Sequence, residues 1–268
     1  MLVRTWNLFH GNAKPPTRNA HLEEMLRLAT ADDPDVVCLQ ELPLWSARWL
    51  EPWSGMRAYV DVAAPPKLGP FRSTAEVGRR LTVHHGLLRS ALTGQANAIL
   101  LSREFRVLEH RHIVLNPRRF RRIQARRLGL GPLARLAWAK ERRVCQAVRA
   151  ELPDGRRAVL ANLHATSFPA DKRLPDAELL RGAAFADGLA EPDELCVFAG
   201  DFNVRREESW TLRELVKPEW GFSKPGPGID HVLVRGAPSS PERRWPEARR
   251  RRGPLLLSDH APVEVEIE

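Results

Sequence analysis

The sequence predicts an α+β fold in which two sheets pack together with helices outside. Three observations carry that prediction. Short β-like runs recur along the whole chain, some neighbours flank tight turns as antiparallel partners would, and others are separated by helix-length stretches. With 268 residues, 43% of them apolar, the chain can fill a large core. No internal repeat and no Gly/Ser-rich linker divides it, so one domain over residues 1–268 is expected.

The elements follow in order. LVRTWNL (2–8) reads as a strand closed off by Gly11 and Pro15-Pro16. Beyond Thr17, the spacing of Leu22, Met25, Leu26 and Leu28 predicts a helix. DVVCLQE (35–41) is a buried strand ending on a carboxylate. Trp45, Trp49 and Trp53, at four-residue steps, predict one helix face, and MRAYVDVA (56–63) returns to strand. Residues 64–94 read as loop with a short helix around Val77, Leu81 and Leu88. NAILLS (97–102) and FRVLEHRHIVL (105–115) predict a strand pair, after which a basic stretch (117–143) interrupts, giving a basic insertion around 117–140. RVCQAVRAEL and RRAVLANLHAT flank Pro153-Asp154-Gly155 and predict a hairpin. A helical run at about 174–190 leads to the buried strand ELCVFAGDFN, a helix from Glu207 to Val216 and the strand IDHVLVRG; a basic loop (241–252) precedes the last strand, SDHAPVEVEIE.

Lys and Arg number 42 against 33 Asp and Glu, a net charge of +9, so the averaged surface attracts polyanions. The excess of Arg over Lys, beside abundant Ala, Pro and Gly, is also what coding bias produces, so charge only supports the argument. Cys38, Cys145 and Cys196 each sit in an apolar run, which predicts small buried side chains rather than a disulfide framework or a zinc site. No stretch is apolar for the length of a membrane span and no basic-then-apolar leader opens the chain, so no stable membrane insertion and a cytoplasmic location are expected.

Polar residues recur at the ends of apolar strands: Asn7, Glu41, His164, Asp201 with Asn203, Asp230 with His231, and Asp259 with His260. Rigid strand ends are where a reactive site is built. Each residue alone has an ordinary structural explanation. Glu41 could be an exposed strand-end acid, Asn7 and the Asp201–Asn203 pair turn formers, His164 a hydrogen-bonded strand histidine. Hard oxygen donors of this kind suit magnesium or manganese rather than zinc.

Taken together, the ordered series TWNLFHG, LQE, NLHAT, GDFN, IDHV and SDHAP resembles the endonuclease/exonuclease/phosphatase superfamily, typified by pancreatic deoxyribonuclease, over residues 7–263. The resemblance implies a four-layer α/β/β/α sandwich of two packed mixed, mainly antiparallel sheets, and metal-dependent cleavage of phosphoester bonds. It implies Glu41 as principal metal ligand, assisted by Asn7 and Asp259, with Mg2+ as the ion and Mn2+ as the alternative. It implies Asp201 as the group that orients or deprotonates water, Asn203 as a holder of nucleophile and phosphate, Asp230 as hydrogen-bond partner of His260, and His164 and His260 as donors to the phosphate. The family's strand arginine is matched within ERR (141–143), by Arg142 or by Arg143.

Two departures from the abasic-site repair branch, Phe9 in place of an acid and His164 in place of a tyrosine, move the reading toward the deoxyribonuclease, sphingomyelinase and phosphatase branches. The Arg-rich stretch 117–127 and Arg249–Arg252 favour contact with a nucleic acid phosphate backbone, and Trp210 or Trp220 could stack on a base. A solvated basic surface and buried tryptophans are the structural alternatives. The leading expectation is a sequence-tolerant nuclease acting on DNA, with RNA as a further substrate. A hydrolase of lipid head groups or small phosphate esters is second, and a silent nucleic-acid-binding protein third. Adjacent residues such as His84-His85 point apart, which argues against a metal site there, and His231 is expected to be structural.

Overall fold

Alternation of inward and outward side chains along each strand decides how this chain layers. The computed structural model describes residues 1–17, 19–68, 71–74, 76–77 and 92–268; the expected helix at Leu81 and Leu88 and the His84-His85 pair lie outside them. In chain order the strands are β1 (Leu2–Asn7), β2 (Ala13–Lys14), β3 (Val36–Leu42), β4 (Arg57–Ala64), β5 (Lys67–Leu68), β6 (Phe71–Arg72), β7 (Gln95–Leu101) and β8 (Arg106–Val114). They continue as β9 (Val144–Glu151), β10 (Arg157–His164), β11 (Leu195–Asp201), β12 (Asp230–Arg235), β13 (Arg243–Arg244), β14 (Arg251–Arg252), β15 (Leu255–Leu257) and β16 (Val263–Glu266). The helices are α1 (Leu22–Thr30), α2 (Leu50–Ser54), α3 (Arg118–Arg127), α4 (Pro132–Lys140), α5 (Arg173–Asp187), α6 (Trp210–Leu215) and α7 (Glu247–Arg250).

One sheet runs β13-β16-β1-β3-β7-β4 and the other β12-β11-β10-β9-β8. Only β1–β3 and β10–β11 are parallel among the pairs within these two sheets; the rest are antiparallel. Val3, Val36, Cys38 and Ile99 from the first sheet meet Val148, Leu160, Val197 and Val232 from the second in a central core. The opposite face of the first sheet, through Trp6, Val37, Leu39 and Leu100, buries Leu22, Met25 and Leu26 of α1 and Leu50 of α2. On the far side Val159, Leu163 and Phe198 take Leu179 and Ala183 of α5 and Leu212 and Leu215 of α6. The result is the four-layer sandwich that the motif series implied. All three cysteines are free and buried.

Two expectations are corrected. NAILLS and FRVLEHRHIVL do not pair: β7 lies between β3 and β4, whereas β8 is the edge of the other sheet and pairs with β9. The reason is visible in their burial, since β7 is covered at all seven positions while β8 is largely exposed, as an edge strand is. The three-tryptophan helix is broken as well. Leu44–Trp49 is a 3-10 turn that passes into α2, so Trp49 stacks on Trp53 and Trp45 meets Trp53 edge-on.

The basic stretch becomes α3 and α4, each introduced by a residue suited to a helix start, Pro117 before α3 and Pro132 opening α4. Between the sheets Gln40 donates to Asn162 (2.8 Å), and Asn162 donates to the carbonyls of Leu39 and Ala98. Both amides are fully buried, so this pairing fixes how the sheets align.

Candidate active site

Parallel pairing places the ends of β1 and β3 side by side, and likewise the ends of β10 and β11. Asn7, Glu41, His164 and Asp201 are therefore delivered to one end of the sandwich. The antiparallel strand β12 starts there with Asp230, which lies opposite Asp201. Gly200 makes the close approach possible: with φ +140°, an added Cβ would stand 1.9 Å from the Leu163 carbonyl oxygen. The segment Ser258–His260 is tied in by Ser258 Oγ donating to the Asn7 carbonyl (2.7 Å) and Trp6 Nε1 donating to that of His260 (2.9 Å). Phe9, His10, Glu41, Asn203 and Ser258 all hold positive φ, a concentration of backbone strain around these strand ends.

The side chains converge. Asn7 Nδ2 donates to Asp201 Oδ2 at 2.9 Å, and the Asn203 amide N–H donates to Asp201 Oδ1 at 3.0 Å. His164 Nε2 lies 3.6 Å from Asp201 and 3.7 Å from Glu41. His260 Nε2 is 3.9 Å from Asp201, while its Nδ1 meets both Asp230 oxygens at 2.9 and 3.0 Å. Asp259 turns toward Lys14, 3.6 Å away, and is a quarter exposed.

Burial pushes the Asp201 carboxyl up, the Asp230 and Glu41 charges add to this, and the result is a pKa of about 7. Burial alone would lower His260, but its bond to Asp230 and the charges of Asp230, Asp201 and Asp259 outweigh that and raise it to about 10. His164 goes the other way: burial, then the charges of Arg143, His260 and His10, hold it well below the usual imidazole range.

Several contacts escaped the sequence reading. Gln95 Nε2 and Arg143 Nη1 both stand 3.0 Å from His164 Nδ1. Arg143 Nη1 also lies 3.2 Å from His164 Nε2, the nitrogen that faces Glu41 and Asp201. Arg142, the first choice within ERR, is exposed; Arg143 is buried and reaches the site, because successive residues leading into β9 face opposite ways. His10 lies 3.4 Å from Glu41 and Arg244 3.8 Å from Asp230. Their signals were present but weak, a histidine directly after Leu8-Phe9 and one arginine among many.

Other expected contacts lie elsewhere. Arg249 pairs with Asp32, Arg251 with Glu247 and Arg252 with Glu24, while buried Arg250 donates to the carbonyls of Leu257 and Ser258. That run is engaged within the molecule. Trp220 packs on the α5–α6 core and Trp210 is exposed; His231 is buried against Glu242.

Asp201, Asp230 and His260 bring three ligand atoms within 4.8 Å of one another, a group that could hold a metal ion. Two buried carboxylates face each other here with Glu41 close by, and Asp201 is raised in consequence. Such a set of hard oxygen donors with excess negative charge fits a divalent cation. No helix of the described residues is long and apolar enough to cross a membrane.

No curated protein matches the chain. Among solved structures it is similar to a functionally unknown conserved protein from Enterococcus faecalis V583 (14% identity, TM-score 0.67, 100% of this chain and 99% of that one). It is similar too to TDP2 from Caenorhabditis elegans (17%, 0.61, 100% and 74%) and to the mannosyl-6-phosphatase Bt3783 of Bacteroides thetaiotaomicron VPI-5482 (14%, 0.61, 100% and 99%). At these identities the likeness establishes the fold. Residues 5–260 match the endonuclease/exonuclease/phosphatase family, and the chain therefore belongs to that family of metal-dependent phosphoester hydrolases.

Proposed function

We propose that this hydrolase is a nuclease, cleaving the phosphodiester backbone of DNA, and of RNA, without reading base sequence. The observation that carries the mechanism is Asp201, a carboxyl poised at about 7 between two imidazoles and an amide. A group with that pKa takes a proton from water most effectively near neutral pH. Asn203, whose backbone N–H fixes Asp201 and whose Nδ2 donates to the Ala165 carbonyl, is assigned to hold the nucleophile and a phosphate oxygen.

His260, protonated at neutral pH and anchored at Nδ1, presents Nε2–H to the phosphate and to the departing oxygen. His164 stays neutral and is assigned as donor to a second phosphate oxygen. Donors fixed in advance where charge develops are worth several powers of ten in rate. Arg143, rather than Arg142, is assigned the substrate-binding role expected within ERR, since it is buried and contacts His164.

Glu41, with Asn7 and Asp259, would hold Mg2+, or Mn2+ in its place; when bound, the ion supplies charge neutralisation at the phosphate and a more acidic water. Net charge of +9 favours a polyanionic substrate. The mannosyl-6-phosphatase among similar structures supports a second reading, hydrolysis of a small phosphate ester. Plasmid DNA, single-stranded DNA, RNA, sphingomyelin, a phosphorylated inositol and a sugar phosphate, each offered with Mg2+ and with EDTA, separate the two. Metal-dependent nicking of DNA is expected. Turnover confined to the small esters overturns the nuclease reading.

A further inference from the structure

Many arginines of this chain are neutralised inside it, among them Arg149 by Glu194, Arg173 by Asp171 and Arg243 by Glu264. The segment 117–140 is different, for it contains seven Arg, one Lys and no Asp or Glu. Its two helices leave an open groove of about 490 Å3, lined by Arg118, Arg121, Arg122 and Arg126 of α3 and by Arg135 of α4. Ala125, Ala139 and Trp138 complete the lining. Among the described residues none of the five arginines has a carboxylate within salt-bridge distance. Arg121 and Arg135 each spend Nε on a backbone carbonyl, of Asn116 and Leu130.

Arg118, Arg122 and Arg126 follow one another at four-residue steps along one face of α3. Like charges at that spacing destabilise a helix, so the arrangement is one that an anion relieves. The groove is also anchored to the catalytic end. Leu115 N–H donates to the Arg143 carbonyl, so the segment leaves and rejoins the sheet beside the residue that touches His164. Trp138, beneath the groove, donates to Glu178, and both Glu178 oxygens accept from Thr166, two residues beyond His164.

We propose that this groove is a second phosphate-binding site, which holds the sugar-phosphate backbone of a nucleic acid strand while another of its phosphates occupies the catalytic centre. The proposal rests on the nuclease reading. Guanidinium groups pair with phosphate oxygens through two parallel donors. From Arg118 to Arg126 the helix advances ~12 Å, the axial length of three to four nucleotides of one strand. No base-reading element is needed, in keeping with sequence-tolerant cleavage. The other candidate occupant is an anionic membrane, because Leu133 and Leu136 on α4 are 79% and 68% exposed. Neither leucine lines the groove, and a concave arginine-walled channel suits a strand better than a flat bilayer.

The test compares the unaltered protein with an Arg118→Gln/Arg122→Gln/Arg126→Gln variant. Affinity for a fluorescent 20-nucleotide strand and its duplex is measured by anisotropy across a salt series, alongside flotation with phosphatidylserine vesicles and a thermal melt as fold check. The expected result is at least tenfold weaker DNA binding with the slope of log K against log[salt] reduced by about 2–3, and a melting point that does not fall. Equal affinities and slopes in a protein that cleaves DNA overturn the groove assignment alone. Loss of vesicle binding with DNA binding retained overturns it in favour of a membrane. Failure of the unaltered protein to cleave DNA overturns the nuclease reading, whatever the groove binds.

Discussion

Asp230 gives His260 both its orientation and its charge, since both carboxylate oxygens meet Nδ1 and leave Nε2 toward Asp201. Asp230→Asn removes the largest favourable influence, so the His260 pKa should fall from about 10 toward 6.5. The sign follows for stability. A raised imidazole contributes fully below its unfolded pKa of 6.5, and that contribution is lost as pH climbs through about 10. The variant should therefore lose most of its pH-dependent destabilisation between 6.5 and 10, read by NMR titration of the imidazole and by melts across that window; an unmoved His260 resonance counts against the pairing. Under the proposed roles, Glu41→Gln abolishes turnover in saturating Mg2+, and His164→Ala or His260→Ala each cost 10²–10⁴ in rate. A full rate in any of them removes that residue's assignment. At this scale the motif residues were legible because short polar words such as GDFN and SDHAP end apolar strands. Arg143 was not separable from Arg142, because the phase of a strand is undefined at its first residue. Gln95 sits on an apolar strand, where nothing marks it as a neighbour of His164.

The registers of β10 against β11 and of β11 against β12 set His164 and Asp230 beside Asp201, and they depend on one missing side chain. Gly200→Ala drives a Cβ into the Leu163 carbonyl, so a stability loss of about 3 kcal/mol or more is expected in urea unfolding, together with lost activity. A loss below about 1 kcal/mol would mean that the strands relax apart without cost. The β9–β10 hairpin was legible because Pro-Asp-Gly marks its turn. The partners of β7 and β8 were not: sequence neighbours usually pair, and only the burial of both faces of β7 tells that it lies between two other strands. The break at Trp49 was invisible too, since three tryptophans at four-residue steps do not show where a 3-10 turn, which faces i with i+3, passes into α-helix.

The proposed ligands come from distant parts of the chain, Asn7 from β1, Glu41 from β3 and Asp259 from the segment before β16, so an ion held by them would be thermodynamically linked to the fold. An ion bound there at 100 times its dissociation constant adds about 2.7 kcal/mol, which for a domain of this size shifts the melting point by about 5–10 °C. Mg2+ should raise the midpoint by that amount and EDTA should reverse it; Glu41→Gln should show a smaller shift. An equal shift in the variant would place the ion elsewhere. The four-layer architecture was legible at this scale because six motifs kept their order, whereas hydrophobic patterning alone gave two sheets with helices outside and no strand order.

The left-handed backbone at Glu41 carries a conformational cost, which its proposed role as metal ligand would account for. A glycine adopts φ 54° freely, whereas alanine does not, so the usual ranking of those two replacements inverts at this position. Inactive Glu41→Gly should melt above equally inactive Glu41→Ala by roughly 1 kcal/mol of stability. A lineage released from selection for turnover would thus drift toward a firmer, idle protein.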